Sequence, residues 1–279
     1  MWQVTAMVVG GMFLIVGADT AGTLLTRAGV SPLFIAWSRF AVAAVVFAPF
    51  FGVGLREARQ FTEWRLIFRA ALIVGGISCI LTALRTEPIA NVFGAFFVSP
   101  VVAFVLSVVL LKERAGWLRA VLVLVSFAGV LIVVRPGFGM TVGLGFALVA
   151  GLFHGGYLVA TKWVAGDYRP KFLLLSQLTI GAILLAPFGI GGIPSMSVPV
   201  ALLILFSALG SATGNLLIVL ASRIADGSLI APLIYSQLIH AAVLGWLVFG
   251  EWPDLQSFLG LLIILLAGLS TLWLARRQI

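Results

Sequence analysis

Apolar runs near the length of a membrane-spanning helix recur along almost the whole chain, and short polar gaps separate them. A run of about 20 apolar residues matches the thickness of the hydrocarbon core of a bilayer, so each run predicts a transmembrane helix. The predicted spans cover residues 4–26, 32–52, 64–84, 88–111, 116–134, 141–163, 171–191, 199–221, 228–249 and 255–275. Because the gaps are short, we predict an all-α membrane protein of ten transmembrane helices with no attached soluble domain.

The two halves of the chain match at a shift of 138 residues, which we call the repeat register. The register brings together the pairs Pro32 and Pro170, Phe34 and Phe172, Ser38 and Ser176, Gly76 and Gly214, Arg85 and Arg223, and Glu113 and Glu251. A duplicated unit with an odd number of spans must be inverted in its second copy, as it is in many secondary transporters. We therefore predict a 5+5 inverted repeat, with one unit at residues 1–137 and the second at 138–279.

Positive residues indicate how the spans are oriented. With the N-terminus placed inside, most Lys and Arg residues fall on the inner side, among them Arg69 near the start of the third span. The outer gaps hold only Arg27, Arg85 and Arg135, and Arg39 lies within the second span. An excess of Lys and Arg marks the cytoplasmic side. The charge pattern therefore places both termini in the cytoplasm and makes the sixth to tenth spans an inverted copy of the first five.

Composition narrows the class of protein further. The chain is 62% hydrophobic and 9% charged, with a mean hydropathy of +1.21, whereas soluble domains carry about 25% charged residues. The net charge of +8 fits a nucleic-acid ligand in principle, but the sequence has no basic domain and no stacking platform. We expect the lipid bilayer and a small-molecule substrate as partners, and no nucleic acid. Cys79 is the single cysteine, so neither a disulfide nor a cysteine-based metal site is expected, and no cofactor is predicted.

Several short motifs occur twice, in the same order in each half. They are Leu111-Lys112-Glu113-Arg114 before Ala128-Gly129-Val130-Leu131, and then Phe249-Gly250-Glu251-Trp252-Pro253 before Leu266-Ala267-Gly268-Leu269. The second span adds the single stretch Trp37-Ser38-Arg39-Phe40. This order of motifs resembles the EamA signature of the drug/metabolite transporter superfamily. The resemblance covers nearly the whole chain and implies a ten-helix inverted-repeat fold in a bacterial inner membrane.

The resemblance also implies a central cavity, lined mainly by helices 1, 3, 4, 6, 8 and 9, with helices 5 and 10 supporting it. Relatives in that superfamily carry amino acids, S-adenosylmethionine, riboflavin or opine metallophores. Many have a Lys in the first helix, three or four residues past the position of Asp19. Gly22 and Thr23 stand there in this chain, so no Lys-based substrate contact is expected in helix 1.

Asp19 and Arg39 are charged residues at similar depths in the first two spans. At about 1.5 Å of rise per residue, each lies roughly 10 Å from the outer end of its helix, so an ion pair between them is expected. The pair would either neutralise two buried charges and lock helix packing, or let Asp19 carry a coupling proton or meet a cationic substrate group. Gln177 occupies the position of Arg39 in the second repeat. A single positive charge beside a pseudo-symmetric cavity favours an anionic or zwitterionic substrate.

The only two histidines, His154 and His240, lie near the middle of the sixth and ninth spans, where transporters bind their substrates. His154 shares a helix face with Tyr157, and His240 shares one with Ser236. The alternatives are hydrogen-bonded packing histidines or a cavity lining. Two histidines without a nearby carboxylate or cysteine are weak evidence for a metal site. The candidate substrate-binding residues are Arg39, Ser99, His154, Tyr157, Asn215, Tyr235, Ser236 and His240.

Glycine and proline positions predict packing and bending. Gly143, Ala147, Gly151 and Gly155 form a ridge of small residues on helix 6, as Gly210 and Gly214 do on helix 8, and such ridges allow close helix contacts. Pro100 and Pro232 interrupt helices 4 and 9. Each removes a backbone hydrogen bond and is a candidate hinge, although the kink could also serve static packing alone.

The predicted function is that of a secondary transporter that moves a small organic metabolite by alternating access. The metabolite would be amino-acid-like, nucleoside-like, a vitamin or opine-type, and zwitterionic or anionic. The family resemblance favours export, and proton exchange at Asp19 is one route to coupling. A passive facilitator on the same scaffold stays open as an alternative, and a homodimer is compatible with the sequence although no feature predicts one. An intramembrane enzyme is disfavoured, because the sequence has neither a His-Glu-x-x-His nor a Gly-x-Ser-x-Gly motif.

Glu113 and Glu251 are two further acidic residues, and they stand at helix starts on opposite sides of the predicted membrane. Negative charge is favoured at the N-terminus of a helix. We therefore predict that they cap the fifth and tenth helices rather than act in transport.

Overall fold

The computed structural model describes residues 2–52, 54, 57, 59–112, 116–136, 140–221, 224, 230 and 233–277, with only the backbone for residues 119 and 271–277. Within these ranges every regular element is a helix. The predicted boundary between the two repeats falls at residues 137–139, which lie outside the described part of the chain, as do Glu113 and Pro232.

The described helices follow the order of the predicted spans, and we number them accordingly. They are α1 (Trp2–Arg27), α2 (Pro32–Phe51), α3 (Trp64–Ala83), α4 (Ile89–Leu110), α5 (Trp117–Val134), α6 (Val142–Val164), α7 (Pro170–Gly189), α8 (Val198–Ala221), α9 (Ser236–Phe249) and α10 (Leu255–Arg277). Short 3₁₀ turns at Arg59–Thr62 and Ile190–Gly192 precede α3 and follow α7.

Seven of these helices are long and apolar enough to cross a membrane: α1 to α4 and α6 to α8. Shorter apolar helices occupy the positions of the fifth, ninth and tenth predicted spans. Large apolar side chains such as Val45, Phe50 and Leu202 are exposed on the outside of the bundle, as expected for surfaces that face lipid tails. The prediction of an all-α membrane fold is confirmed.

Helices pair between the two halves of the chain. α1 packs along α8 and α3 packs along α6, while α2 packs on α7, α4 on α9 and α5 on α10. In the repeat register α1 corresponds to α6 and α3 to α8. The contact between α1 and α8 is therefore equivalent to the contact between α6 and α3. The other three pairs each join a helix to its own counterpart. Phe97 and Tyr235 are register mates whose ring centroids lie 5.1 Å apart, which places the pseudo-two-fold axis between them.

The predicted ridges of small residues are present and carry close helix contacts. A Cβ atom added to Gly151 would lie 2.6 Å from the carbonyl oxygen of Phe96, and one added to Gly155 would lie 2.8 Å from that of Ser99. On α8, a Cβ atom on Gly214 would lie 2.5 Å from the carbonyl oxygen of Gly11. These distances are shorter than van der Waals contact, so only glycine lets α4 approach α6, and α1 approach α8, this closely.

Helix α4 is broken into two segments, Ile89–Phe96 and Val98–Leu110, by a turn at Phe97. Pro100 follows the break and has no N–H to donate to the carbonyl of Phe96, the residue four positions earlier. That carbonyl instead lies against Gly151. Pro100 therefore interrupts the helix, as predicted, although the break falls three residues before the proline itself. Whether it acts as a hinge stays a prediction.

Arg69 is buried, although the charge pattern counted it among the residues that orient the spans. It lies in the first third of α3 and is only 4% exposed. The long stem of arginine and its planar group of donors allow it to be buried where enough acceptors surround it. α3 supplies its position, and helices of the second repeat supply its acceptors.

Candidate functional site

The first arginine cluster comprises Asp19 on α1, Arg39 on α2 and Ser207 on α8, all of them buried. Arg39 Nη1 donates to Asp19 Oδ1 at 2.5 Å, so the predicted ion pair is present. Arg39 Nε donates to Ser207 Oγ at 2.7 Å, and Nη2 donates to the carbonyl of Ala18 at 2.8 Å. Ser207 Oγ donates to the same carbonyl at 3.0 Å. The cluster therefore joins the two helices to each other and also ties them to the second repeat.

The second arginine cluster comprises Arg69 on α3, Tyr157 and Thr161 on α6, and Gln177 on α7. Arg69 donates to Thr161 Oγ1 at 2.8 Å, to the Tyr157 hydroxyl at 2.9 Å, to Gln177 Oε1 at 3.0 Å and to the carbonyl of Leu173 at 3.0 Å. Tyr157 donates to Gln177 Oε1 at 2.6 Å, and its ring lies 4.8 Å from the guanidinium carbon. All of these acceptors are neutral, so neutral dipoles alone solvate the charge of Arg69.

The two clusters are counterparts in the repeat register. Asp19 corresponds to Tyr157, Arg39 to Gln177, and Ser207 to Arg69. Arg39 bonds Ser207 across the two repeats, and their counterparts Gln177 and Arg69 bond each other in the same way. The same contact is therefore present in both clusters, but with different residue types. The arginine of the first cluster stands where the second has Gln177, and the arginine of the second stands where the first has Ser207.

A cavity of about 40 Å³ lies between the two clusters. Its walls include the register mates Arg39 and Gln177, Phe40 and Leu178, Ile73 and Ser211, and Ile77 and Asn215. Because counterparts face each other across it, the cavity lies on the pseudo-two-fold axis. A water molecule needs about 10–15 Å³ of such space, so the cavity has room for a few water molecules. It is lined by α2, α3, α7 and α8, a set that only partly overlaps the helices expected to line the central cavity.

A chain of aromatic rings crosses the middle of the bundle from α6 to α9. The His154 ring centroid lies 4.9 Å from that of Phe96, Phe96 lies 6.5 Å from Phe97, and Phe97 lies 5.1 Å from Tyr235. Ser99 and His154 Nδ1 share a hydrogen bond of 2.7 Å. Two predicted substrate contacts, Ser99 and His154, are therefore brought together by the broken helix α4.

Helix α9 carries polar atoms that are buried and lack a hydrogen-bond partner. These are Ser236 Oγ and His240 Nδ1, which lie one turn apart. The ring of His240 contacts that of Phe13 on α1, with centroids 5.6 Å apart. Ser78 Oγ on α3 and Asn91 Oδ1 on α4 are likewise unpaired. Buried polar groups in proteins are nearly always hydrogen-bonded, so these four atoms call for partners that the described side chains do not supply.

An apolar groove of about 210 Å³ lies between α1, α8 and α9. Phe13, Phe206 and Leu244 are among its walls. The register mate of Phe13 is Gly151, the residue on which α4 packs closely. The contact between α4 and α6 is therefore tight, whereas its counterpart between α9 and α1 is wider.

Ion pairs connect side chains at the end of the bundle where α1 finishes. Arg27 makes a two-pronged contact with Glu251, at 2.8 and 3.2 Å, and lies 4.5 Å over the ring of Phe249. Arg135 pairs with Asp254 just before α10, and the pKa of that carboxyl is lowered to about 2, chiefly by this hydrogen bond. The carboxylate of Glu251 thus holds α1 to the end of α9, where the sequence had indicated a cap for α10.

A second group of ion pairs lies at the other end, where α3 starts. Arg65 bonds Glu63 at 2.6 Å and Asp167 at 2.7 Å. A hydrogen bond from Tyr168, and a second from Arg65, hold the pKa of the Glu63 carboxyl below its usual range. Arg169 pairs with Glu57 at 2.6 Å, and this bond lowers the pKa of Glu57. Side chains of both repeats therefore meet at each end of the bundle.

The remaining predicted residues are divided between these regions. Asn215 lines the axial cavity and donates to the carbonyl of Ser211 at 2.8 Å, and Tyr157 belongs to the second arginine cluster. Among the described residues, no contact joins His154 to His240, and no group of three or more His, Cys, Asp or Glu side chains could hold a metal ion. No sequence pattern singled out Arg69, Gln177 and Ser207 as site residues. The register paired Arg69 with Ser207 and Arg39 with Gln177, but a pairing of identities does not show which helices are in contact.

The helix arrangement and the buried polar residues indicate the class of protein to which this chain belongs. Two inverted five-helix repeats, with polar residues placed along their shared axis, are the architecture of a secondary membrane transporter. The chain belongs to the EamA-like transporter family, whose profile matches residues 3–135 and again residues 141–273.

Named relatives agree with this assignment. The chain is 28% identical to a riboflavin transporter of Vibrio cholerae, over all of this chain and 94% of that protein. It is 27% identical to an S-adenosylmethionine uptake transporter of Rickettsia prowazekii, over 88% of this chain and 84% of that protein. A solved crystal structure, 18% identical, superposes with a TM-score of 0.69 over 98% of both chains and so shares the fold. The protein is a multi-pass membrane transporter of small metabolites and not an enzyme.

Proposed function

We propose that this protein imports a metabolite with a planar heteroaromatic ring, of the adenosyl or flavin type, by alternating access. The relatives named for S-adenosylmethionine uptake and for riboflavin support this substrate class. Both compounds carry a flat ring system together with a flexible polar chain. The proposed site in the middle of the bundle offers stacking surfaces for the first and hydrogen-bonding groups for the second.

The observation that carries the proposal is the pairing of an aromatic chain with unpaired polar atoms. His154, Phe96, Phe97 and Tyr235 form a continuous series of rings, and a stacked base is worth about 1–3 kcal/mol on such a surface. The unpaired atoms of Ser236 and His240 lie just beyond Tyr235 on α9. A ligand that satisfies them avoids the cost of burying polar atoms without partners.

The ends of the bundle support a carrier rather than a passive facilitator. Arg27 and Glu251 connect α1 to α9 at one end, and Arg65 and Asp167 connect α3 to α6 at the other. A carrier needs closures at both ends that open in turn, whereas a channel needs a continuous pore. The cavity of about 40 Å³ on the axis fits a closed state in such a cycle.

Direction and orientation are part of the proposal. The sequence favoured export on the family resemblance, but relatives with uptake in their names favour import, and import is what we propose. The distribution of Lys and Arg supports a bacterial inner membrane location with both termini in the cytoplasm. Asp19 is the proposed site of proton coupling, since it is a buried carboxylate whose contact with Arg39 joins the helices next to the axial cavity.

A binding experiment tests the substrate class. Purified protein is screened by thermal unfolding against S-adenosylmethionine, riboflavin, amino acids and opine-type chelators, because a ligand that binds the folded state raises the melting temperature. We expect S-adenosylmethionine or riboflavin to give the largest shift. His240→Ala should reduce that shift, whereas Ile239→Ala, next to it but 51% exposed on the outside of α9, should not. A ligand response confined to the other two classes would refute the proposal.

A transport experiment tests the coupling. Liposomes containing the protein take up the ligand identified above, with and without a pH gradient. Wild-type protein should show gradient-driven accumulation, and Asp19→Asn should show only equilibration. If Asp19→Asn retains full gradient-driven accumulation, the role of Asp19 is confined to packing.

A further inference from the structure

The two arginine clusters differ in which repeat supplies the partners of the arginine. In the first cluster, Asp19 and Arg39 both belong to the first repeat, and so does the Ala18 carbonyl. Only the hydrogen bonds made by Ser207 cross to the second repeat. If the two repeats separate at this point, Arg39 therefore keeps its carboxylate partner.

The second cluster has the opposite arrangement. Arg69 is its only member from the first repeat, while Tyr157, Thr161, Leu173 and Gln177 all belong to the second. Separation of the repeats removes all four hydrogen bonds from Arg69 at once. The acceptors lose less, because the bond between Tyr157 and Gln177 lies within the second repeat and survives.

No described acidic side chain is placed to replace the lost acceptors. The described acidic residues near the start of α3 already have partners: Glu63 is bonded to Arg65 and Tyr168, Asp167 to Arg65, and Glu57 to Arg169. Arg65 is one turn before Arg69 and carries the same charge. A guanidinium keeps its proton at any physiological pH, so opening this end leaves Arg69 as a positive charge facing the entering water. An anionic ligand can then take the place of the lost acceptors.

We propose that Arg69 receives an anionic group of the substrate, a carboxylate or a phosphate, when the end of the bundle near the start of α3 opens. The inference rests on the proposed function and narrows its substrate class. Arg69 lies about 8 Å along α3 from its first residue, and its acceptor Gln177 lines the axial cavity. The planar guanidinium group can hold both oxygens of a carboxylate or phosphate. An anionic group at Arg69 would replace Gln177 and Tyr157 as acceptors.

Two pairs of probes test this assignment. S-adenosylmethionine has a carboxylate that its decarboxylated analogue lacks, and flavin mononucleotide has a phosphate that riboflavin lacks. Binding of each probe is measured by titration against wild type, Arg69→Gln and Arg69→Lys, in a sugar-headgroup detergent without added lipid, so that no lipid phosphate competes. Arg59→Gln is the matched control, since it removes an exposed positive charge in the turn before α3, at the same end of the bundle.

We expect wild type to bind the anionic member of at least one pair about tenfold to a hundredfold more tightly, the range for a hydrogen bond between charged groups. Arg69→Gln should lose this preference, Arg69→Lys should keep part of it, and Arg59→Gln should keep all of it. If Arg69→Gln does not fold, the partial preference of Arg69→Lys carries the same information. Binding without preference for the anion in wild type, or a preference unchanged in both Arg69 variants, overturns the assignment alone. Binding of none of the four probes overturns the proposed function with it.

Discussion

The two arginine clusters occupy equivalent places in the two repeats, but they stabilise a buried arginine in different ways. In the first, Arg39 is neutralised by Asp19. In the second, Arg69 has the same degree of burial but is surrounded by neutral oxygens from Tyr157, Thr161 and Gln177. The packing of the repeats is therefore symmetric, while the charge placed within it is not.

This difference bears on how an inverted repeat can work as a transporter. Two copies of one fold give two equivalent conformations, open to one side or to the other. With equivalent clusters, opening either side would break equivalent bonds. Here one opening leaves an ion pair intact, and the other exposes a cation without a partner. The asymmetry gives the two faces different chemistry on a common scaffold.

The largest effect is expected from Asp19→Asn. The variant leaves the buried charge of Arg39 without a carboxylate, and breaking a buried pair in this way costs about 3–5 kcal/mol. Unfolding in detergent should therefore begin at a markedly lower temperature. The double variant Asp19→Asn with Arg39→Gln removes both charges and should recover much of the loss. A double variant no more stable than Asp19→Asn alone would mean that the pair is not the source of the effect.

A smaller loss is expected from Arg69→Gln. This variant removes a charge and leaves none behind, and the Tyr157–Gln177 bond remains. The cost is that of acceptors left without a donor, about 1–3 kcal/mol. Measured beside Asp19→Asn under the same conditions, Arg69→Gln should unfold at the higher temperature of the two. The reverse order would show that neutral acceptors stabilise Arg69 more than a carboxylate stabilises Arg39.

The helix contacts around the clusters can be compared in the same way. Gly151→Ala places a Cβ atom 2.6 Å from the Phe96 carbonyl oxygen and should destabilise the fold by about 1–3 kcal/mol through overpacking. Gly156→Ala on the same helix meets only Leu72, at 3.5 Å, and should be neutral or stabilising, because alanine favours a helix over glycine. Equal melting temperatures for the two variants would contradict the tight contact between α4 and α6.

The smallest effect is expected at Asp254, which accepts from Arg135 and from the backbone N–H of Ser257 at 2.9 Å. Its pKa is lowered from 3.8 to about 2, so its contribution to stability is nearly complete above pH 4 and is lost as the pH falls through 2. Wild type should therefore exceed Asp254→Asn in melting temperature at pH 6, and most of the difference should be gone at pH 2. A difference that does not change between these pH values would exclude the ionised carboxylate as its cause.

The sequence predicted the fold well, because the fold depends on long-range composition and on repetition. Apolar runs located the helices, and the match of Gly76 to Gly214 indicated the repeat. The ridge around Gly151 was correctly predicted to carry a close contact, because a ridge of small residues has few other uses in a membrane. The position of the break in α4 was less accurate, since Pro100 frees a carbonyl four residues earlier and the turn forms between the two.

The site was harder to predict, because it depends on which helices meet. The ion pair of Asp19 and Arg39 followed from equal depth on adjacent helices. The contact between Arg69 and Gln177 required knowing that α3 packs beside α6 and α7, which no local pattern states. Arg69 also lies close enough to a helix end to be counted as an orientation charge. The repeat register yields the contact only once its counterpart is observed, since the contact of Arg39 with Ser207 implies that of Gln177 with Arg69.

Locking one end of the bundle is the most direct test of alternating access. Arg27→Cys and Glu251→Cys, in a Cys79→Ser background, replace the ion pair between α1 and the end of α9 with two thiols that a bifunctional thiol reagent can join. Uptake of labelled S-adenosylmethionine and riboflavin into liposomes is then compared before cross-linking, after it, and after the cross-link is reversed. Because alternating access requires this end to open, cross-linking should abolish uptake and reversal should restore it. Undiminished uptake by the cross-linked protein would contradict alternating access.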